Sequence, residues 1–125
     1  MSPAPACYPG RAAIDAYGNG GFRFAGMSHR GSILCLPSGI YAWAPARPEE
    51  ISLDSLALAL REREALALML LGTGGSGVLP APELRQGFAA LGLALESMDT
   101  GAAARTYNVL LAEARPVAAA LIAVE

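Results

Sequence analysis

The chain has 125 residues, 54% of them hydrophobic and 16% charged, with a formal net charge of −2. This length suits one domain with a real core, and the composition excludes intrinsic disorder. Its nine basic side chains, all arginine, form no stripe that would recruit nucleic acid, and no apolar run approaches the ~20 residues of a membrane-spanning helix.

Residues 1–12 read as a flexible tail: they hold three prolines and no periodicity. They have neither the charged nor the apolar region of a secretory signal, and too little arginine for a transit peptide, so the expected location is the cytoplasm. The single domain is expected over 13–125. Cys7 in the tail reads as an exposed thiol and Cys35 as a small buried hydrophobe. Their spacing makes neither a metal motif nor a disulfide framework.

The domain opens with a short alternating strand at 13–17. Gly18-Asn-Gly-Gly21 then supplies residues that accept positive φ, and Phe22-Arg-Phe24 alternates again, so the pair predicts a hairpin. A third strand follows at 32–36, stopped by Pro37, and a fourth at 40–43. Tyr41 and Trp43 are expected in the core or over a sheet edge. The first third is thus antiparallel. Residues 45–48 form a linker, and Asp54 is the expected N-cap of a helix over 55–63.

Local rules conflict next. Propensity draws one helix from 55 to 71, yet Arg61-Glu-Arg-Glu64 breaks the apolar pattern on every face. The run at 65–71 is apolar on all sides, like a strand buried on both faces. The chain then loops through the glycines of 72–77. A helix opens at Pro82 and closes at Gly92, and a strand covers 93–98. Asp99 or Thr100 caps a helix to about Glu113, and a last strand covers 117–124. With a strand at 65–71 the second half reads β-α-β-α-β, which calls for parallel pairing and right-handed crossovers.

In such sheets ligands sit beyond the carboxyl ends of strands. If the strands before the two bends are neighbours, Gly72, Thr73, Gly74, Ser76, Asp99 and Thr100 share one rim. Arg105 and Asn108, three apart on one helix face, extend it as candidate ligand or partner contacts. The competing reading is structural: glycine for backbone geometry, and Arg105 in a capping and ion-pair network with Asp99, Glu96 or Glu113. Gly72, Gly74 and Gly77 match dinucleotide-fingerprint spacing, but no helix follows at once to receive a pyrophosphate. The only histidine, His29, reads as a solvated loop residue, so no nucleophilic triad forms. No metal-ligand set and no cofactor motif occurs.

The run Met98-Asp-Thr-Gly-Ala-Ala-Ala-Arg-Thr-Tyr-Asn-Val-Leu-Leu-Ala-Glu-Ala-Arg115, followed by Val117-Ala-Ala-Ala-Leu121, is long and specific. With it go Gly72-Thr-Gly74 after an apolar strand, Tyr17-Gly18 before Gly21-Phe22, and Trp43. Together, over about 13–124, these resemble the signature of a family of small uncharacterised proteins that includes the mitochondrial complex I assembly factor 3 and the adipogenesis-associated domain protein. The resemblance implies an α/β fold with a central mixed sheet, and it favours helix, break and strand over 55–71. It implies no established enzymatic activity and no cofactor. It points to an accessory role whose partners are respiratory-chain assembly components, with a homodimer as a further state. Such a protein is expected in the cytoplasm, or at the inner membrane through its partner. Many relatives of this kind carry cysteine where this chain has Ala104, so thiol chemistry at that position is absent here.

Overall fold

The computed structural model describes residues 6–125; positions 1–5 of the expected tail lie outside the described residues. From 6 to 12 the chain is tied to the body of the fold. Cys7 and Tyr8 donate backbone N–H groups to the Ile40 carbonyl, Ile40 donates back to Tyr8, and Arg11 Nη1 donates to the Val117 carbonyl at 2.8 Å.

Among the described residues there are eight strands and three α-helices. Three strands, β1 (Ile14–Gly18), β2 (Gly21–Phe24) and β3 (Met27–Arg30), make a small antiparallel sheet. Five make a mixed sheet: β4 (Ser32–Leu36), β5 (Gly39–Trp43), β6 (Leu68–Gly72), β7 (Ala94–Met98) and β8 (Val117–Leu121), in the order β5-β4-β8-β6-β7. β6 pairs parallel with both β7 and β8, and β4 pairs antiparallel with β5 and β8. The α/β class, the mixed sheet and the β-α-β-α-β half are as expected.

Strand composition explains the layering. Side chains alternate across a strand, and β4, β6 and β8 lie between two covered faces, so apart from Ser32 at the start of β4 they are built from apolar residues and glycine. Leu34, Leu36, Met69, Leu71, Ala118 and Ala120 face α1 (Ala57–Arg61) and α2 (Pro82–Ala90), packing with Leu84 and Phe88. Ile33, Cys35, Leu70, Ala119 and Leu121 face α3 (Thr100–Ala112) and the small sheet, packing with Phe22, Phe24 and Tyr107. The alanines of β8 let α3 lie close.

Four details differ from the sequence expectation. β3 is an additional strand, formed because Ala25 (φ 52°) and Gly26 (φ 75°) both adopt positive φ and close a second tight hairpin. His29 therefore stands in a strand, half-buried beside Phe24, and is not a solvated loop residue. The helix expected over 55–63 shrinks to α1, flanked by 3-10 turns at Asp54–Leu56 and Arg63–Ala65, and Asp54 makes no cap bond. Ser52 and Ser55 hold that turn instead, each hydroxyl accepting the other's backbone N–H. The last strand ends at Leu121, short of 124: the Ile122 amide makes the final ladder bond, to Gly72 O, and the Ala123 amide turns to the Ser32 hydroxyl instead.

Tyr107 is fully buried under the sheet, and its hydroxyl is the one orphaned buried side-chain polar atom among the described residues. Burial pushes that hydroxyl's pKa up, the Cys35 thiol adds to the effect, and Arg11 opposes it. Tyr107→Phe removes an unsatisfied group without opening a cavity. The expected result in urea denaturation is a protein unchanged or up to about 1 kcal/mol more stable.

Candidate functional site

β6 ends at Gly72 and β7 ends at Met98, and the two strands are parallel neighbours paired Gly72 to Met98. The bends that follow them therefore emerge side by side. Thr73 N donates to Met98 O at 2.9 Å, and Thr100 N donates to Gly74 O at 2.8 Å. The structure brings Gly72, Thr73, Gly74, Ser76, Asp99 and Thr100 together in this way.

Their polar atoms are turned on one another. Thr73 is buried; its hydroxyl lies 2.6 Å from Ser76 O and 3.2 Å from Met98 O and accepts the Val78 N–H. Thr100 is fully buried; its hydroxyl donates to Ile122 O at 2.7 Å and accepts Gly74 N–H at 2.9 Å. Asp99 caps α3 by accepting the Ala102 N–H at 2.9 Å. A carboxylate at that position occupies the terminus of α3 that would otherwise attract a phosphate, and the helix after the glycines of 72–77, α2, begins only at Pro82. Gly72 is needed for close approach: a Cβ there would lie 2.9 Å from Leu121 Cδ2 and 3.0 Å from Thr100 Cα.

Arg105 and Asn108 do not join this rim. Both turn toward the small sheet. Asn108 accepts the Ile14 N–H and donates to the Ile14 carbonyl, both at 2.8 Å, as a strand backbone would. Arg105 meets no carboxylate. It donates to the Tyr17 hydroxyl at 2.7 Å, because Tyr17 lies over Gly101, one helical turn earlier, where a Cβ would come within 2.6 Å of the hydroxyl. The ion pairs that do form, Arg47–Glu50 and Arg115–Glu113, are exposed and long.

The rim continues into a surface that the sequence reading did not single out. Beyond Ser76 the loop climbs over the sheet edge and exposes Val78 (41%) and Leu79 (70%). Beneath them lies a hollow of about 460 Å³ floored by Leu71 and Leu84. The sequence signal was two large apolar residues between Gly77 and Pro80, inside a loop. Among the described residues no three His, Cys, Asp or Glu side chains gather to hold a metal.

Comparison with known proteins agrees with this architecture. A family model described as protein of unknown function (DUF498/DUF598) matches residues 14–122. An uncharacterised protein of Rhodobacter capsulatus is 39% identical over 98% of the chain and 93% of its own length. The NADH dehydrogenase (ubiquinone) 1 alpha subcomplex assembly factor 3 of Mus musculus is 30% identical over 92% of the chain, which spans 62% of that protein's length. A crystal structure of a protein described as an outer membrane protein of Bartonella henselae superposes with a TM-score of 0.91 at 51% identity, covering 94% of this chain and 99% of that one.

Two substitutions test the reading of these polar atoms. Thr100→Val leaves Gly74 N–H and Ile122 C=O without their partner. It is expected to cost roughly 1–3 kcal/mol for each orphaned group in urea denaturation, whereas Thr100→Ser keeps both bonds and costs about 1 kcal/mol for its methyl group. Asn108→Ala frees β1, and amide hydrogen exchange at Ile14 is expected to accelerate by at least ~10-fold, the equivalent of about 1.4 kcal/mol of local opening, while the exchange of β6 amides stays unchanged.

Proposed function

The chain belongs to the family described as protein of unknown function DUF498/DUF598, and from that premise we propose that it is a non-enzymatic accessory factor that acts by binding other proteins during respiratory-chain assembly. The observation that carries the proposal is the inward commitment of the rim. The hydroxyls of Thr73 and Thr100 and the carboxylate of Asp99 are all engaged by the protein's own backbone. Acid–base or nucleophilic catalysis needs side chains directed at a substrate. The exposed surface beside the rim is apolar instead, as protein-binding surfaces tend to be at their centres.

The assembly-factor relatives support the class of role. Because the chain spans 62% of one such relative's length, the contacts that the remainder of that protein makes do not transfer. No helix among the described residues is long and apolar enough to cross a membrane. The proposed place of action is the cytoplasm, or the inner membrane through a partner. A second reading, a small-ligand carrier, draws on the hollow of about 460 Å³, a volume common for ligand sites.

The protein, tagged at its native locus and purified from gently solubilised cells, is expected to retain NADH dehydrogenase subunits or their assembly intermediates. A deletion strain is expected to accumulate subcomplexes on native gels. Normal assembly in that strain, together with no recovered respiratory-chain component, would refute the proposal. A reproducible metabolite-induced rise in Tm would move the balance to the second reading.

A further inference from the structure

The hollow under Leu79 does not end at its own walls. Ile51, Ala81 and Leu84 are shared with a second hollow of about 300 Å³ on the other side of the α2 N-terminus, so the two form one groove. Its floor is apolar: Ile51, Leu71 and Leu84 are core residues. Its borders are apolar and exposed, with Leu79 at 70%, Val78 at 41% and Leu53 at 37% accessible. Large apolar side chains standing in water along a groove are surface that a partner would cover.

The charge around this floor has one sign. Glu49 lines the first hollow, and Asp54 and Glu83 line the second. No arginine or histidine lines either one. Among the described residues, none of these three carboxylates enters an ion pair; the two that form use Glu50 and Glu113. Such an arrangement repels acidic ligands and favours a partner that brings positive charge to the edges of an apolar strip. A small polar metabolite needs convergent hydrogen-bonding groups, and the one buried polar side chain that reaches the groove, Thr73, has its hydroxyl engaged by Ser76 and Val78.

We propose that this groove binds a basic amphipathic helical segment of a partner protein, with apolar anchors seated on Ile51, Leu71 and Leu84 and flanking Lys or Arg side chains meeting Glu49, Asp54 and Glu83. Recognition of this kind reads anchors at i, i+3/i+4 and i+7 on one helix face. The proposal rests on the protein-binding role given above and adds the place and the chemistry of the contact.

The probe is a synthetic 18-residue helix with Leu at the anchor positions and Lys elsewhere, titrated into the intact protein. A Leu–Glu helix of the same pattern serves as its control. Binding is read by fluorescence anisotropy and mapped by amide shifts in labelled protein. The Leu–Lys helix is expected to bind with shifts at 78–84 and 49–54, more weakly as salt rises, and the Leu–Glu helix at least ~10-fold more weakly. Leu79→Ser and the triple variant Glu49→Gln, Asp54→Asn, Glu83→Gln alter exposed side chains. Each is expected to weaken binding ~10-fold or more while leaving Tm unchanged.

Undiminished binding by either variant, equal binding of the Leu–Glu helix, or shifts elsewhere would overturn the assignment. So would dimerisation in sedimentation that both variants abolish, which would give the groove to a second copy. The two proposals fail separately. If both groove variants still recover respiratory-chain components from cells, the groove assignment falls and the assembly role stands. If the helix binds the groove but no such component is recovered, the reverse holds.

Discussion

The fold depends on one buried hydroxyl. Thr100 stands at the first turn of α3, fully enclosed, and ties the start of that helix to the chain after β6 and to the chain after β8. It accepts the Gly74 N–H after β6, donates to the Ile122 carbonyl after β8, and through its own backbone N–H returns a bond to Gly74 O. A polar side chain in that position would be costly if any bond were missing. With all of them made, it fixes where α3 begins relative to two neighbouring parallel strands. Gly72 completes the constraint, since the closeness of Thr100 Cα leaves no room for a Cβ there.

From that anchored start α3 organises the rest of its side of the sheet. Its alanines, Ala103 and Ala104, lie against the alanine-rich β8 and the end of β6, while Tyr107 fills the space beneath Cys35 and Ile33. The helix then holds the small sheet by three polar or close contacts in sequence order: Gly101 under Tyr17, Arg105 to the Tyr17 hydroxyl, and Asn108 doubly bonded to Ile14. The far end of the small sheet is held by the chain's own C-terminal stretch, where Gly20 donates to Val124 O. The position of the N-terminal hairpins is therefore a consequence of α3, although they precede it by some eighty residues (Tyr17 and Arg105 are 88 apart).

Much of this was legible in the sequence because several signals agreed at the same places. The apolar runs at 65–71 and 117–124 marked strands, the first as one buried on both faces, which the structure sets at Leu68–Gly72 and Val117–Leu121; Pro82, Gly92 and the Asp99-Thr100 pair marked helix ends. The shared position of the two bends was conditional on their strands being neighbours, and the strand order supplies that condition. What escaped was decided by long-range contact. β3 needs Ala25 at positive φ, which no local preference advertises. The short α1 is set by packing under Trp43, whose indole N–H bonds to Ser55 O, against residues whose propensity favours a longer helix. Arg105 found a hydroxyl 88 positions away rather than a nearby carboxylate, a choice made by the glycine beneath Tyr17. The groove was hidden for a related reason: Val78 and Leu79 look like ordinary loop residues until the floor beneath them, drawn from β6, α2 and the turn at 48–51, is assembled.

These observations reverse the usual reading of a conspicuous motif. A glycine-rich bend next to an Asp-Thr helix start, at the carboxyl ends of parallel strands, has the outward form of a ligand site. Here the same residue types serve a structural end. Glycine permits two backbones to approach, threonine joins them, and aspartate neutralises the exposed end of the helix dipole. Residues so engaged are poor candidates for chemistry, because directing any of them at a substrate would undo the anchor of α3. The exposed apolar surface lies one loop further on, where the chain keeps Val78 and Leu79 in water near Glu49, Asp54 and Glu83. A domain that uses its polar motif to hold itself together and exposes an apolar groove beside it offers a surface for recognition, and the accessory role proposed above rests on that surface.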